Sequence, residues 1–262
     1  MKILVWNLRR GNKKSESWNI ILNYSPDVCL LQEVSSVPES ISEVYQVLEK
    51  YPTNKNLEQQ KFKSVSLIKK DHKYSISNFS FSNSTIENIY NHFKGNLIGF
   101  KCNGYSFINI YSPPWGVPES LFKWSDVKHI KLKKNPKLWI TEVVYDIVKS
   151  SNFSDQNLIF GGDFNHSIKF DFGNKGNRGN QEIINRFHRL NYFDSLGEFN
   201  GGLIPTFQNP RGKELIHQID YLYIHKSLIK KINRCSLIEK RKVLNRNLSD
   251  HLPILLELKN SK

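Results

Sequence analysis

Cysteine is scarce in this chain. Cys29, Cys102 and Cys235 are the only three in 262 residues, an odd number without paired spacing. A disulfide framework or cysteine zinc site is therefore not expected, and a reducing cytoplasm is the simple reading. No apolar run approaches the ~18 residues that a membrane helix needs. The stretch Ile3 to Trp6 stops at Asn7, with Arg9-Arg10 close behind, so no secretory signal is expected either. Repeats and low-complexity linkers are missing, and glycine and proline are spread along the chain, which reads as one domain over residues 1–262. No GxxxxGK[ST] string is present, so Gly11, Gly161 and Gly162 are expected to serve tight turns rather than a phosphate cradle. Acid is short relative to base: 24 Asp and Glu against 38 Lys and Arg leave a net charge of +14. A field of that sign draws nucleic acids, anionic lipid surfaces or phosphorylated metabolites, the plainer alternative being compositional drift toward lysine.

What is present suits a globular protein, with 39% hydrophobic and 24% charged residues. Lys2–Trp6, Asp27–Leu31, Phe62–Ile68, Tyr74–Phe81, Leu97–Lys101, Tyr105–Tyr111, Leu158–Gly162, Gln218–Ile224 and Ile254–Leu258 read as strands. Ser15 can cap a helix running through Leu22, and residues 136–148 suit a helix with Pro136 in its first turn. Strands outnumber helices and helices fall between them in both halves, which predicts a layered α/β protein with mixed sheets.

Polar residues recur where these strands end. Asn7 follows Ile3-Leu4-Val5-Trp6, Glu33 follows Cys29-Leu30-Leu31-Gln32, and Tyr111 follows Phe107-Ile108-Asn109-Ile110. "FGGDFNHS" places Asp163 and Asn165 after Leu158-Ile159-Phe160, Asp220 lies in "HQIDYLYI", and Asp250-His251 lie in "NLSDHLPILLEL". Were the strand to continue, Asp163 and Asn165 would point to one side. Each residue also has a plain structural reading, as a turn former, a cap or an ion-pair partner. His166, next to "GDFN", reads as a bystander of the loop.

In order, "VWNLR", "LLQEV", "NIYSPP", "GGDFN", "HQIDYLYI" and "SDHLPI" resemble the motifs of the endonuclease/exonuclease/phosphatase superfamily, over nearly the whole chain. The resemblance implies a four-layered α/β sandwich, with two mixed, mostly antiparallel sheets face to face and helices outside. It implies a divalent cation, Mg²⁺ with Mn²⁺ able to substitute, on Glu33, with Asn7 nearby and Asp250 a further contributor. It gives Asp163 the task of orienting or deprotonating the attacking water and Asn165 that of positioning it. His251, held by Asp220, would stabilise charge on the phosphate, and Tyr111 would touch the scissile group.

Superfamily members hydrolyse DNA, RNA, nucleotides, inositol phosphates and lipids, so the substrate must be argued separately. Net charge and the basic stretches Val127–Lys137 and Lys230–Arg246 favour nucleic acid as the partner. Arg9, Lys175 and Arg178 are candidate backbone contacts, and Trp115 and Trp124 candidate stacking residues. Tyr111 is followed by Ser112-Pro113-Pro114-Trp115 instead of the Pro-Asn usual in abasic-site nucleases, which counts against dedicated abasic-site repair. No histidine lies near Tyr111 on its strand, which counts against a sphingomyelinase-like lipid activity. Small-molecule phosphoesterase activity and catalytically silent nucleic-acid binding are the competing readings.

Overall fold

A computed structural model describes residues 1–122, 127–150, 157–173 and 178–259. Its layers follow from apolar residues placed on both faces of the central strands. In β1 (Lys2–Gly11), Ile3 and Val5 face one way and Leu4, Trp6 and Leu8 the other, all fully buried. β2 (Val28–Val34) repeats the pattern with Val28 and Leu30 against Cys29 and Leu31. A strand apolar on both faces has to be covered on both. With β3 (Tyr45–Lys50), β4 (Lys63–Lys69), β13 (Ile232–Leu237) and β14 (Ile254–Leu258) these form a sheet of order β13-β14-β1-β2-β4-β3.

The second sheet joins β5 (Tyr74–Ile76), β6 (Leu97–Cys102), β7 (Tyr105–Tyr111), β8 (Leu158–Asp163), β9 (Tyr192–Asp194) and β12 (Asp220–His225) in the order β5-β6-β7-β8-β12-β9. Each sheet has one parallel pair at its centre, β1 with β2 and β7 with β8, flanked by antiparallel neighbours. A short ribbon of β10 (Phe207–Gln208) and β11 (Leu215–His217) is bridged through Phe207 to His251. Between the sheets, Ile3, Val5, Val28 and Leu30 meet Phe107, Ile159, Leu222 and Ile224. Trp18 and Ile21 of the helix Ser17–Tyr24 cover the outer face of the first sheet. Helices Ser84–Phe93, Ile140–Ser150 and Asn180–Arg189 cover Ile108, Ile110, Phe160 and Tyr223 of the second. The outcome is the expected four-layered sandwich. Among the described residues no helix is long and apolar enough to cross a membrane.

Several local expectations are corrected. Gly161 and Gly162 form no turn; they lie inside β8, where the neighbouring strands approach closely. A Cβ on Gly162 would lie 1.8 Å from the Ile110 carbonyl oxygen, and its φ of 147° is open only to glycine. The strand expected to Phe81 ends at Ile76, because Phe79 leaves the ladder to cover Gly99 and packs edge-on against Tyr90. The helix expected from Pro136 starts at Ile140, since the Glu142 carboxylate accepts hydrogen bonds from Leu132 N and Trp139 N and holds the preceding residues as a loop. Ser15 accepts from Ser17 N, yet the N-cap is Glu16. β13, inside the basic stretch, went unread; it buries Cys235 and exposes Arg234.

Candidate active site

Strand register gathers the polar residues. Tyr111 on β7 is level with Asp163 on β8, and Asp163 is level with Asp220 on β12. Three polar residues thus end one row of the second sheet. On the first sheet Asn7 pairs with Gln32, directly before Glu33. The faced sheets bring these ends together: Asn7 Nδ2 donates to Asp163 Oδ2 at 3.0 Å across the sandwich.

Asp163 is 1% exposed and accepts three hydrogen bonds. Besides Asn7, Asn165 donates through Nδ2 to Oδ2 at 3.0 Å and through its backbone N to Oδ1 at 2.9 Å. Asp163 and Asn165 do converge, but by a different route from strand alternation: β8 ends at Asp163 and Asn165 turns back with φ of 49°. Arg9, Arg10 and Glu33 also hold positive φ, so three left-handed non-glycine residues lie within these motifs and a fourth directly follows one. Such conformations each cost on the order of 1–3 kcal/mol and cluster where function fixes the backbone. Burial raises the Asp163 pKa; His251 lowers it, and Asp220 and Glu33 raise it further. A carboxyl group so placed readily takes up a proton.

His251 Nδ1 lies 3.0 and 2.9 Å from the two Asp220 oxygens. Burial depresses the imidazolium, but Asp220, by charge and hydrogen bond, and then Asp163 and Asp250 outweigh it and bring the pKa to about 10. The ring is therefore a cation at neutral pH, with Nδ1–H donated to Asp220. Its backbone is pinned as well. His251 N donates to Ser249 Oγ, Ser249 Oγ donates to the Asn7 carbonyl, and Trp6 Nε1 donates to the His251 carbonyl. Thr206 Oγ1 donates to Asp220 Oδ2 at 2.7 Å and accepts from Ile219 N and Asp220 N. Thr206, Ser249 and Trp6 escaped the sequence reading, although "PTF", "SDH" and "VWN" carry them.

Tyr111 is nearly buried, and its hydroxyl donates to Glu33 Oε1 at 3.5 Å. Burial first, then the Glu33 and Asp163 charges, hold that hydroxyl far above the usual range, so it stays a neutral donor. Glu33 makes no ion pair with any described residue, which leaves a hard oxygen ligand facing the site. Asp250 is differently placed: its Oδ2 lies 3.7 Å from Arg9 Nε and its Oδ1 3.9 Å from His251 Nε2. Among the described residues, Asp163, Asp220 and His251 place ligand-type atoms within 4.8 Å of one another. A protonated imidazole has no lone pair for a metal, so this trio fits proton handling rather than coordination.

Arg178 donates its backbone N to Asp171 and lines, with Asn165, His166, Phe170 and Trp139, a pocket of about 40 Å³. Trp115 is half-buried in the loop that Val117 N ties to the Leu138 carbonyl, and its indole Nε1 is buried without a partner. Lys175 and Trp124 lie outside the described residues. Parts of the basic stretches are compensated: Arg241 and Lys242 pair with Glu239, and Arg246 pairs with Glu16.

No protein-family model and no curated protein sequence matches the chain. Solved structures match throughout. An AP endonuclease from Archaeoglobus fulgidus aligns at 18% identity with a TM-score of 0.70, covering 99% of this chain and 100% of that one. A 3′-5′ exonuclease from Neisseria meningitidis, and a Neisseria 3′ phosphatase bound to a product DNA hairpin, each align at 17% identity and 0.65, over 99% of this chain and 100% of theirs. The chain thus shares its fold with these solved proteins over almost its whole length.

Proposed function

We propose that the chain is a divalent-metal-dependent phosphodiesterase, a nuclease that hydrolyses DNA or RNA. The observation that carries this reading is the junction of Asp163, bound by Asn7 and Asn165, with the Asp220–His251 pair at one end of the sandwich. Asn165 orients a water against phosphorus and Asp163 accepts its proton, the task its raised pKa suits. The water oxygen bonds to phosphorus as the bond to the ester oxygen breaks on the opposite side. His251 presents Nε2–H to a non-bridging oxygen as charge builds there, with Asp220 holding the ring. Tyr111, neutral and buried, offers its hydroxyl to the same group. Mg²⁺, a hard ion that takes oxygen ligands, fits the unpaired Glu33 carboxylate and would neutralise phosphate charge and stabilise the leaving oxygen.

Nucleic acid is favoured as substrate by the net charge of +14. The match to a 3′ phosphatase bound to DNA adds 3′-phosphorylated DNA to the substrates worth trying. Purified protein incubated with single-stranded DNA, duplex DNA, RNA, 3′-phosphorylated DNA and inositol phosphates, with Mg²⁺ or EDTA, tests the reading. Polymer cleavage that EDTA stops is expected. Phosphate release from small esters alone would favour the small-molecule reading, and a blank panel would remove both.

A further inference from the structure

Asp250 looks like a metal ligand in the sequence, but its carboxylate is already engaged on both sides. Oδ2 faces Arg9 Nε at 3.7 Å, and Oδ1 faces the His251 ring at 3.9 Å. We infer that the Arg9 guanidinium takes the cationic place at Asp250, so that the site binds a single divalent ion, anchored on Glu33. This rests on the nuclease reading above and names how its charge is supplied.

The backbone places Arg9 for this task. Arg9 and Arg10 hold φ of 46° and 61° in a bulge of β1, between its pairings Asn7 with Gln32 and Gly11 with Val34, and Arg9 N donates to Asn7 Oδ1 at 2.9 Å. Arg9 Nη1 donates to Asn247 Oδ1 at 3.1 Å, a second tether from the segment that carries Asp250. Asn7 is engaged as well: its side-chain carbonyl oxygen accepts from Arg9 N and its amide donates to Asp163. Of the two expected metal carboxylates, Asp250 faces cations and Glu33 faces none among the described residues. A guanidinium cannot be deprotonated in a protein, so a second divalent ion at Asp250 would meet fixed positive charge at contact distance. Arginine also presents donors in a planar fork that suits phosphate, so the residue that excludes the ion can itself bind the substrate's charge.

Mn²⁺ titration of the purified protein, followed calorimetrically and by the paramagnetic signal of free ion, reads the stoichiometry without turnover. One ion per chain is expected, lost in Glu33→Gln and kept in Asp250→Asn. Arg9→Ala, which uncovers Asp250, should acquire a second and weaker ion. Two ions on the wild-type chain overturn the inference while leaving the nuclease reading standing, as does an Arg9→Ala chain that still takes one. Retention of the ion in Glu33→Gln with loss in Asp250→Asn overturns it too. No bound ion, together with no cleavage of any polymer, would take down the proposed activity itself.

Discussion

His251 and His166 are equally hidden, at 5% and 6% exposure, and they titrate in opposite directions. Around His251 the strands deliver Asp220 to Nδ1, and the ring is held as a cation. Around His166 the neighbours are Tyr221, tilted against the ring, and Phe164, edge-on, and neither ring nitrogen has a hydrogen-bond partner. Burial there pulls the pKa down to about 3, with only Asp171 pushing it back. Burial alone therefore says little about a histidine; the anion beside it decides. A pocket of about 40 Å³ adjoins His166 and Trp139, large enough for a water, with Asn165 and Asn180 also in its lining.

Removing the charged member of the pair should have the larger effect. His251→Ala should lower kcat by about 10²- to 10³-fold, the usual cost of losing one donor to developing charge. Substrate binding should change far less, because the donor acts mainly in the transition state. An equal loss in both would make His251 a binding residue. The same variant tests the alkaline side of stability. The folded pKa of about 10 lies above the unfolded value of about 6.5. Its contribution is thus complete below about 6.5 and fades as pH rises through 10, so the variant's unfolding midpoint should depend less on pH across that window.

His166 makes the opposite and smaller prediction. Its folded pKa of about 3 lies below the unfolded value, so between the two the unfolded chain binds the extra proton and acid destabilises the fold. His166→Leu should flatten that acid limb. From pH 6.5 to 5 the wild type should lose up to ~2 kcal/mol that the variant retains, at ~1.4 kcal/mol per pH unit. Denaturant midpoints at the two pH values measure it, and parallel losses would show that an unseen partner satisfies the His166 ring.

The same contrast shows how much could be read in the chain. Strands with both faces apolar announced the buried sheets, and polar residues at their ends announced the site, because a carboxylate after an apolar run has to emerge where the strand does. Registers were not legible: nothing local in "PTFQNP" reveals that Thr206 reaches Asp220. Nor does residue type show a left-handed glutamate at position 33 or a glycine pressed against Ile110. The contact between Asp250 and Arg9 was hidden for a related reason, since the two lie at opposite ends of the sequence and only the folded sheet joins them.

The most direct measurement compares wild-type protein with Asp163→Asn, on single-stranded and duplex DNA and on RNA, at equal Mg²⁺. The substitution keeps the shape of the side chain and removes its capacity to accept a proton. Turnover should fall by about 10²- to 10⁴-fold, with the thermal midpoint preserved or raised. Cleavage at the wild-type rate by Asp163→Asn would mean that hydrolysis takes place somewhere other than this cluster.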